Sequence, residues 1–157
     1  MPNVLEFQTV QTAAFRILIE ALKEILTDAN FEFDSNGLKI VAMDSTHTVL
    51  VHLRLNAENL ENYMCKEKII LGINLINFYK LMKILGNNDV LQLFVDDDNL
   101  SVLNITIQNS EKNSITNFKL NLMDLNEENI EVPPPTFESV ITMPSVDFQK
   151  ICRDMHN

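Results

Sequence analysis

The chain has no tryptophan, three glycines, two cysteines, and 12 basic residues against 22 acidic ones in its 157 positions. Each scarcity removes a class of function. With so few glycines there is no glycine-rich loop to cradle a nucleotide's phosphates. Cys65 and Cys152 stand far apart, with no second pair and no clustered histidines, so neither a disulfide framework nor a zinc site is expected, only two reduced thiols. No stretch approaches the roughly 18 consecutive apolar residues of a membrane span, and Met1-Pro2-Asn3 lacks the basic start of a secretory signal. The expectation is a soluble, intracellular protein. A net charge of −10 argues against nucleic acid on average, because phosphate contacts need Lys or Arg. An average hides placement, and the positions of the 12 cations decide the matter.

What is present suits one well-filled core: 46% hydrophobic residues in a chain of ordinary domain size. Alternation of apolar and polar residues predicts strands over 4–7, 38–43, 49–55, 68–73, 90–95, 100–107, 115–122 and 139–143. Short turns at Ser35-Asn36-Gly37 and Asp96-Asp97-Asp98-Asn99 favour antiparallel hairpins and a meandering sheet. Two segments have helical period instead. Over 12–26, Phe15, Leu18, Leu22, Ile25 and Leu26 form an apolar stripe, with Thr12 as N-cap and Val10 as a staple. Over 74–85 the stripe is Leu75, Phe78, Met82 and Leu85, and Gly86 stands where a C-terminal cap belongs. Arg16 and Lys23 in the first helix, and Lys80 and Lys83 in the second, fall opposite those stripes. The ordinary reading of four such cations is a solvated helix face.

Chemistry finds little support. Asp44, Ser45 and His47 are the residue types of a catalytic triad, but three types within one loop do not supply the spatial arrangement a triad needs. Asp96-Asp97-Asp98 has the oxygen ligands for a hard cation, yet acids before Asn99 more simply make a solvated turn. The expectation is a protein without catalytic residues, resident metal or cofactor.

The run Lys119-Leu120-Asn121-Leu122-Met123-Asp124-Leu125 leads into an acidic tether, Asn126 to Glu131, closed by Val132-Pro133-Pro134-Pro135. With Met43-Asp44-Ser45-Thr46-His47 upstream and Ile151-Cys152-Arg153-Asp154 downstream, it resembles the proliferating cell nuclear antigen family of DNA sliding clamps over nearly the whole chain. An internal repeat agrees. Residues 140–152 can be laid over 7–19, matching Met143 with Val10, Ser145 with Thr12, Phe148 with Phe15 and Ile151 with Leu18.

The resemblance implies an α+β DNA-clamp fold, an antiparallel sheet with two amphipathic helices packed on one face. It implies a first clamp domain over 1–122, an interdomain connecting loop over 123–135, and the first strand and partial helix of an incomplete second domain over 136–157. A groove between that loop and the Met-Asp-Ser-x-His motif would receive a short peptide, the PIP box, from DNA polymerases, ligases and flap nucleases. Met43, His47, Leu50, Leu125, Ile130, Val132, Pro133 and Phe137 would surround it, with Met43 and Ile130 as its energetic walls. Glu127 and Glu131 stand where the family commonly has an aliphatic residue and a glycine, which tilts preference towards peptides with basic flanks.

The same resemblance places Arg16, Lys23, Lys80, Lys83 and Arg153 towards duplex DNA, in sequence-independent phosphate contacts. Ile17 replaces a second base common in the family, so contact should be weak and salt-sensitive. Ile115, Phe118 and Leu120, on an edge strand over 113–121, would form the subunit interface of a homotrimeric ring. The partner strand belongs to the second domain, so this stretch alone is not expected to close a ring. Loading would need a separate ATP-driven clamp loader. The implied location is the nucleus, or a cytoplasmic replication site for a viral clamp. A monomeric adaptor that binds peptides without encircling DNA is the alternative.

Overall fold

Strand β2 (Asp28–Asp34) shows how this sequence builds its layers: Ala29, Phe31 and Phe33 are buried while the polar residues between them face outward. A computed structural model describes residues 2–126 and 130–156. The other elements, in chain order, are β1 (Asn3–Thr9), α1 (Thr12–Ile25), β3 (Gly37–Met43), β4 (Leu50–Asn56), a 3-10 turn (Ala57–Asn59), β5 (Asn62–Cys65), β6 (Ile69–Asn74), α2 (Leu75–Met82), β7 (Asp89–Asp96), β8 (Asn99–Asn109), β9 (Ser114–Asn121) and α3 (Ser145–Met155), with β2 following α1. The α+β class stands. The strands divide, however, into two antiparallel sheets instead of one meander: five strands in the order β5-β1-β7-β8-β9, and four in the order β4-β3-β2-β6.

The two helices and the inner faces of both sheets share one core. On α1 the buried stripe is Thr12, Phe15, Ile19 and Leu22, continued by Leu26. Ile25, assigned to the stripe from sequence, is 43% exposed, because the stripe drifts around a 3.6-residue helix and leaves it on the outer side. A register shift in β1 between Asn3 and Leu5 turns Val4 and Leu5 both inward, which simple alternation does not allow.

The caps differ from the sequence expectation. Thr12 is the first helical residue, and its hydroxyl donates to the Gly86 carbonyl at 2.7 Å. Tertiary structure has claimed the hydroxyl a cap would use. Val10 is 47% exposed and staples nothing. Helix α2 is shorter than expected. The Asn74 side chain accepts from the Asn77 amide at 2.9 Å at its start, and it ends at Met82, before Gly86. Gly86 serves the packing instead: its amide donates to Asp89 Oδ2 at 2.6 Å, and the Asn109 amide group donates to Asp89 Oδ1 at 2.7 Å. Buried Asp89 is thereby satisfied on both oxygens.

Two strands escaped the sequence reading, β2 and β5, and one expected strand is absent. Residues 139–143 have no ladder partner among the described residues, and Val140 and Ile141 are about four-fifths exposed. Alternation without a neighbouring strand leaves the backbone hydrogen-bonding to water. Helix α3 does form, and every described residue of it is exposed.

The core's centre is aromatic. Phe78 is fully buried and meets Phe15 and Phe31 edge-on at ring separations of 6.3 and 6.0 Å. Replacing it with alanine should lower the free energy of unfolding by about 3–5 kcal/mol, the usual cost of deleting a buried ring. Urea unfolding reads this directly, and a loss below about 1 kcal/mol would show that the ring is not a keystone.

Candidate partner-docking groove

Met43 ends β3, and the chain must turn back to Leu50, its partner in the first pair of the β3–β4 ladder. Asp44 builds that turn. Its Oδ1 accepts from the amides of Thr48 and Val49 at 2.9 and 3.0 Å, and its Oδ2 accepts from the Thr46 hydroxyl at 2.5 Å. The Asp44 amide donates to the Val49 carbonyl, and the His47 amide to the Asp44 carbonyl, both at 3.0 Å. Donation by the Thr46 hydroxyl, then by the Val49 and Thr48 amides, holds the Asp44 carboxyl down to about 2. With its carboxylate so engaged, Asp44 braces the loop. His47 takes a left-handed backbone, φ 57°, a conformation in which histidine is enriched and β-branched residues are rare. The loop's shape therefore explains two of its motif residues without invoking chemistry.

The opposite wall comes from the segment after β9. The Leu122 amide donates to the Ser101 carbonyl at 2.9 Å and the Met123 amide to the Gly72 carbonyl at 2.8 Å, which carries the chain across β6. Ala42, Met43, Asp44, Ser45 and His47 then face Asn126 and Ile130 across a groove of about 440 Å³. That volume suits a ligand the size of a peptide side-chain cluster. Of the residues assigned to the groove from sequence, Met43, His47 and Ile130 line it. Leu50 flanks it on β4 at 42% exposure, and Leu125 lies against Gly72. Val132 and Pro133 are not among the lining residues, and neither is Phe137, which is 73% exposed. Glu127 lies outside the described residues. Ala42, Asp44, Ser45 and Asn126 line the groove without having been assigned to it: Asp44 and Ser45 were read only as motif residues, and Ala42 and Asn126 carry no pattern of their own.

A smaller apolar hollow of about 230 Å³, lined by Phe7, Phe15, Leu18, Leu55 and Leu60, lies at the start of α1. Thr9, Gln11, Asn56 and Asn59 also line it, but its surface is mostly apolar.

The helix cations separate into two kinds. Lys80 on α2 and Lys83, the residue that caps its C-terminal end, are exposed. Arg16 Nη1 donates to the Leu85 carbonyl, and Lys23 pairs with Glu24 at 2.7 Å while lying 4.8 Å from the centre of the Tyr79 ring. The hydrogen bond to Glu24 raises the Lys23 ammonium and lowers the Glu24 carboxyl from their usual ranges. Both α1 cations thus lean towards α2, and the exposed side of α1 presents Ile17, Glu20 and Glu24. Arg153 is exposed on α3.

Strand β9 is the outer strand of the five-stranded sheet, paired only with β8. Ile115 is 63% exposed, whereas Phe118 and Leu120 pack partly onto the core. Asp96, Asp97 and Asp98 sit at the β7–β8 hairpin, where Asn104 binds Asp96 at 3.2 Å and Lys66 lies 3.8 Å from Asp97. Among the described residues no cluster of His, Cys, Asp and Glu could hold a metal.

The sequence profile described as "Proliferating cell nuclear antigen, N-terminal domain" matches residues 4–130. A curated relative, "Probable DNA polymerase sliding clamp 1" of Paramecium bursaria Chlorella virus 1, is 38% identical over 154 residues. That alignment covers 98% of this chain and 59% of the relative, so the chain spans about three-fifths of the relative's length.

The Asp44 brace has a pH signature. Its folded value lies below the unfolded one of about 3.9, so its contribution is present above that value and is lost as pH falls through about 2. A carboxyl-carbon titration should give a midpoint near 2 for Asp44, with the Thr48 and Val49 amide shifts following it. A midpoint near 4 would show that the brace does not exist in solution.

Proposed function

Because this chain belongs to the proliferating cell nuclear antigen family through an N-terminal domain over residues 4–130, we propose that it works as part of a DNA sliding clamp, a polymerase processivity factor. The proposed division is a first clamp domain to residue 122, a connecting loop to 135, and the beginning of a second domain thereafter. The observation that carries the functional reading is the groove of Met43, His47, Asn126 and Ile130. Its flexible methionine and branched aliphatic wall suit one turn of an amphipathic peptide, and so a PIP-box segment of a polymerase, ligase or flap nuclease.

Duplex DNA would pass along α1 and α2. Lys80 and Lys83 are free to reach phosphates, while Glu20 on α1 repels them and Lys23 is engaged with Glu24, so the contact is weak and falls steeply with salt. Such a clamp holds its polymerase by topology, and the ring needs little affinity for what it encircles. In a longer chain the open edge of β9 would pair with a second-domain strand of the next subunit in a homotrimer, which a clamp loader opens and closes. Its place of work follows replication, in the nucleus or at a viral replication site. The groove's acidic surroundings, Asp44, Asp124 and Glu131, favour peptides with basic flanks.

Fluorescence anisotropy of a labelled PIP-box peptide tests the groove. Met43→Ala and Ile130→Ala should each weaken binding by roughly tenfold, the effect of losing a contact at the centre of an interface. Both side chains are at least partly exposed, so the fold should survive. No binding by folded wild type, or affinity indifferent to both substitutions, would overturn the reading. Peptide binding by a full-length chain that never retains circular DNA would assign the adaptor role instead.

A further inference from the structure

Asn30 on β2 and Gly72 on β6 stand directly opposite each other in the four-stranded sheet, so their side-chain positions share one face. Both hold the chain that leaves β9. The Met123 amide donates to the Gly72 carbonyl at 2.8 Å, an isolated antiparallel bridge. The Asn30 side-chain amide donates to the Leu125 carbonyl at 3.4 Å. A Cβ on Gly72 would lie 2.1 Å from the Met123 carbonyl oxygen and 3.2 Å from Leu125 Cγ. Gly72 is not in the left-handed region, which among the glycines only Gly37 occupies. Backbone conformation therefore does not require glycine at 72. The crossing segment does, because it occupies the space a side chain would fill.

Asn126 directly follows Leu125 and, with Ile130, forms the wall that faces Met43 and His47. We propose that Gly72 and Asn30 are positioning residues for the docking groove: they seat the connecting segment in one register on the sheet and so set the distance between the groove's two walls. Neither residue lines the groove. Their action passes through Met123 and Leu125, and the proposal rests on the groove being the docking site.

The test compares Gly72→Ala, Asn30→Ala and Met43→Ala by hydrogen exchange and by PIP-box peptide anisotropy. Gly72→Ala should raise exchange of the Met123 amide and weaken the peptide, each by about tenfold, while Leu91 and Ile105 amides of the other sheet keep their protection. Asn30→Ala, which removes one long neutral hydrogen bond, should do the same by about two- to fivefold and covers the case in which Gly72→Ala fails to fold. Met43→Ala should weaken the peptide and leave Met123 exchange unchanged, a separation that a general loss of stability would not produce. Unchanged Met123 exchange in both seat variants would overturn the seat. Faster exchange with unaltered peptide affinity would overturn its role in docking. Failure of the wild type to bind the peptide would sink the groove reading, and the docking role with it, while the exchange result still decides whether the seat exists.

Discussion

A run of five phenylalanine rings, beginning and ending on β2, is the packing on which the layers of this domain depend. Phe33 meets Phe7 at 6.4 Å, Phe7 meets Phe15 at 5.6 Å, Phe15 meets Phe78 at 6.3 Å, and Phe78 meets Phe31 at 6.0 Å. Phe31 and Phe33 lie on the same face of β2, so the run returns to the strand it left after passing through β1, α1 and α2. It joins the five-stranded sheet to the four-stranded one through both helices. Each aromatic pair contributes about 0.5–1.5 kcal/mol beyond its buried area. The geometric consequence is larger: α1 is held to the five-stranded sheet, α2 to the four-stranded one and the helices to each other, so the exposed lysines of α2 and the groove at the end of β3 are tied to the same core.

The seam between the helices completes that packing. Thr12 and Arg16 on α1 reach the Gly86 and Leu85 carbonyls after α2, and Asp89 closes the turn from the other side. These contacts turn the start of one helix and the end of the other into a single joint. They also withdraw Arg16 from free solution, which is why α1 offers its outer side as Ile17, Glu20 and Glu24. An acidic surface on a domain that would surround DNA is compatible with sliding, since strong phosphate binding would arrest motion along the duplex.

How much of this was legible in the sequence depended on where each residue's partner lies. Strands with unbroken alternation, such as β3 and β7, announced themselves. Strand β2 did not, because Asp28, Asn30, Glu32 and Asp34 read as turn formers although Ala29, Phe31 and Phe33 alternate perfectly between them. Strand β5 is four residues long, too short for a period to emerge. Thr12 is a cap by local rules and a tertiary donor in fact, since its acceptor is 74 positions away. Residues 139–143 have the alternation of a strand but no partner among the described residues. The groove was half visible. The Met43 to His47 motif and Ile130 were found through resemblance, whereas Gly72 and Asn30 carry no local pattern and become meaningful only when the chain after β9 crosses them.

That crossing unites two requirements that are usually met separately. An outer strand presents unpaired amides and carbonyls and must be covered, blunted or used. Strand β5 is blunted by its length, and β6 is covered at Gly72 by Met123. Strands β4 and β9 remain open over seven and eight residues among the described residues. The cover on β6 is also the root of the groove's second wall, because the next residues onward are Leu125 and Asn126. One backbone bridge therefore serves the sheet and the site together. A side chain at Gly72 would overlap the Met123 carbonyl, so displacing the bridge would expose the edge and move the groove's second wall in the same event.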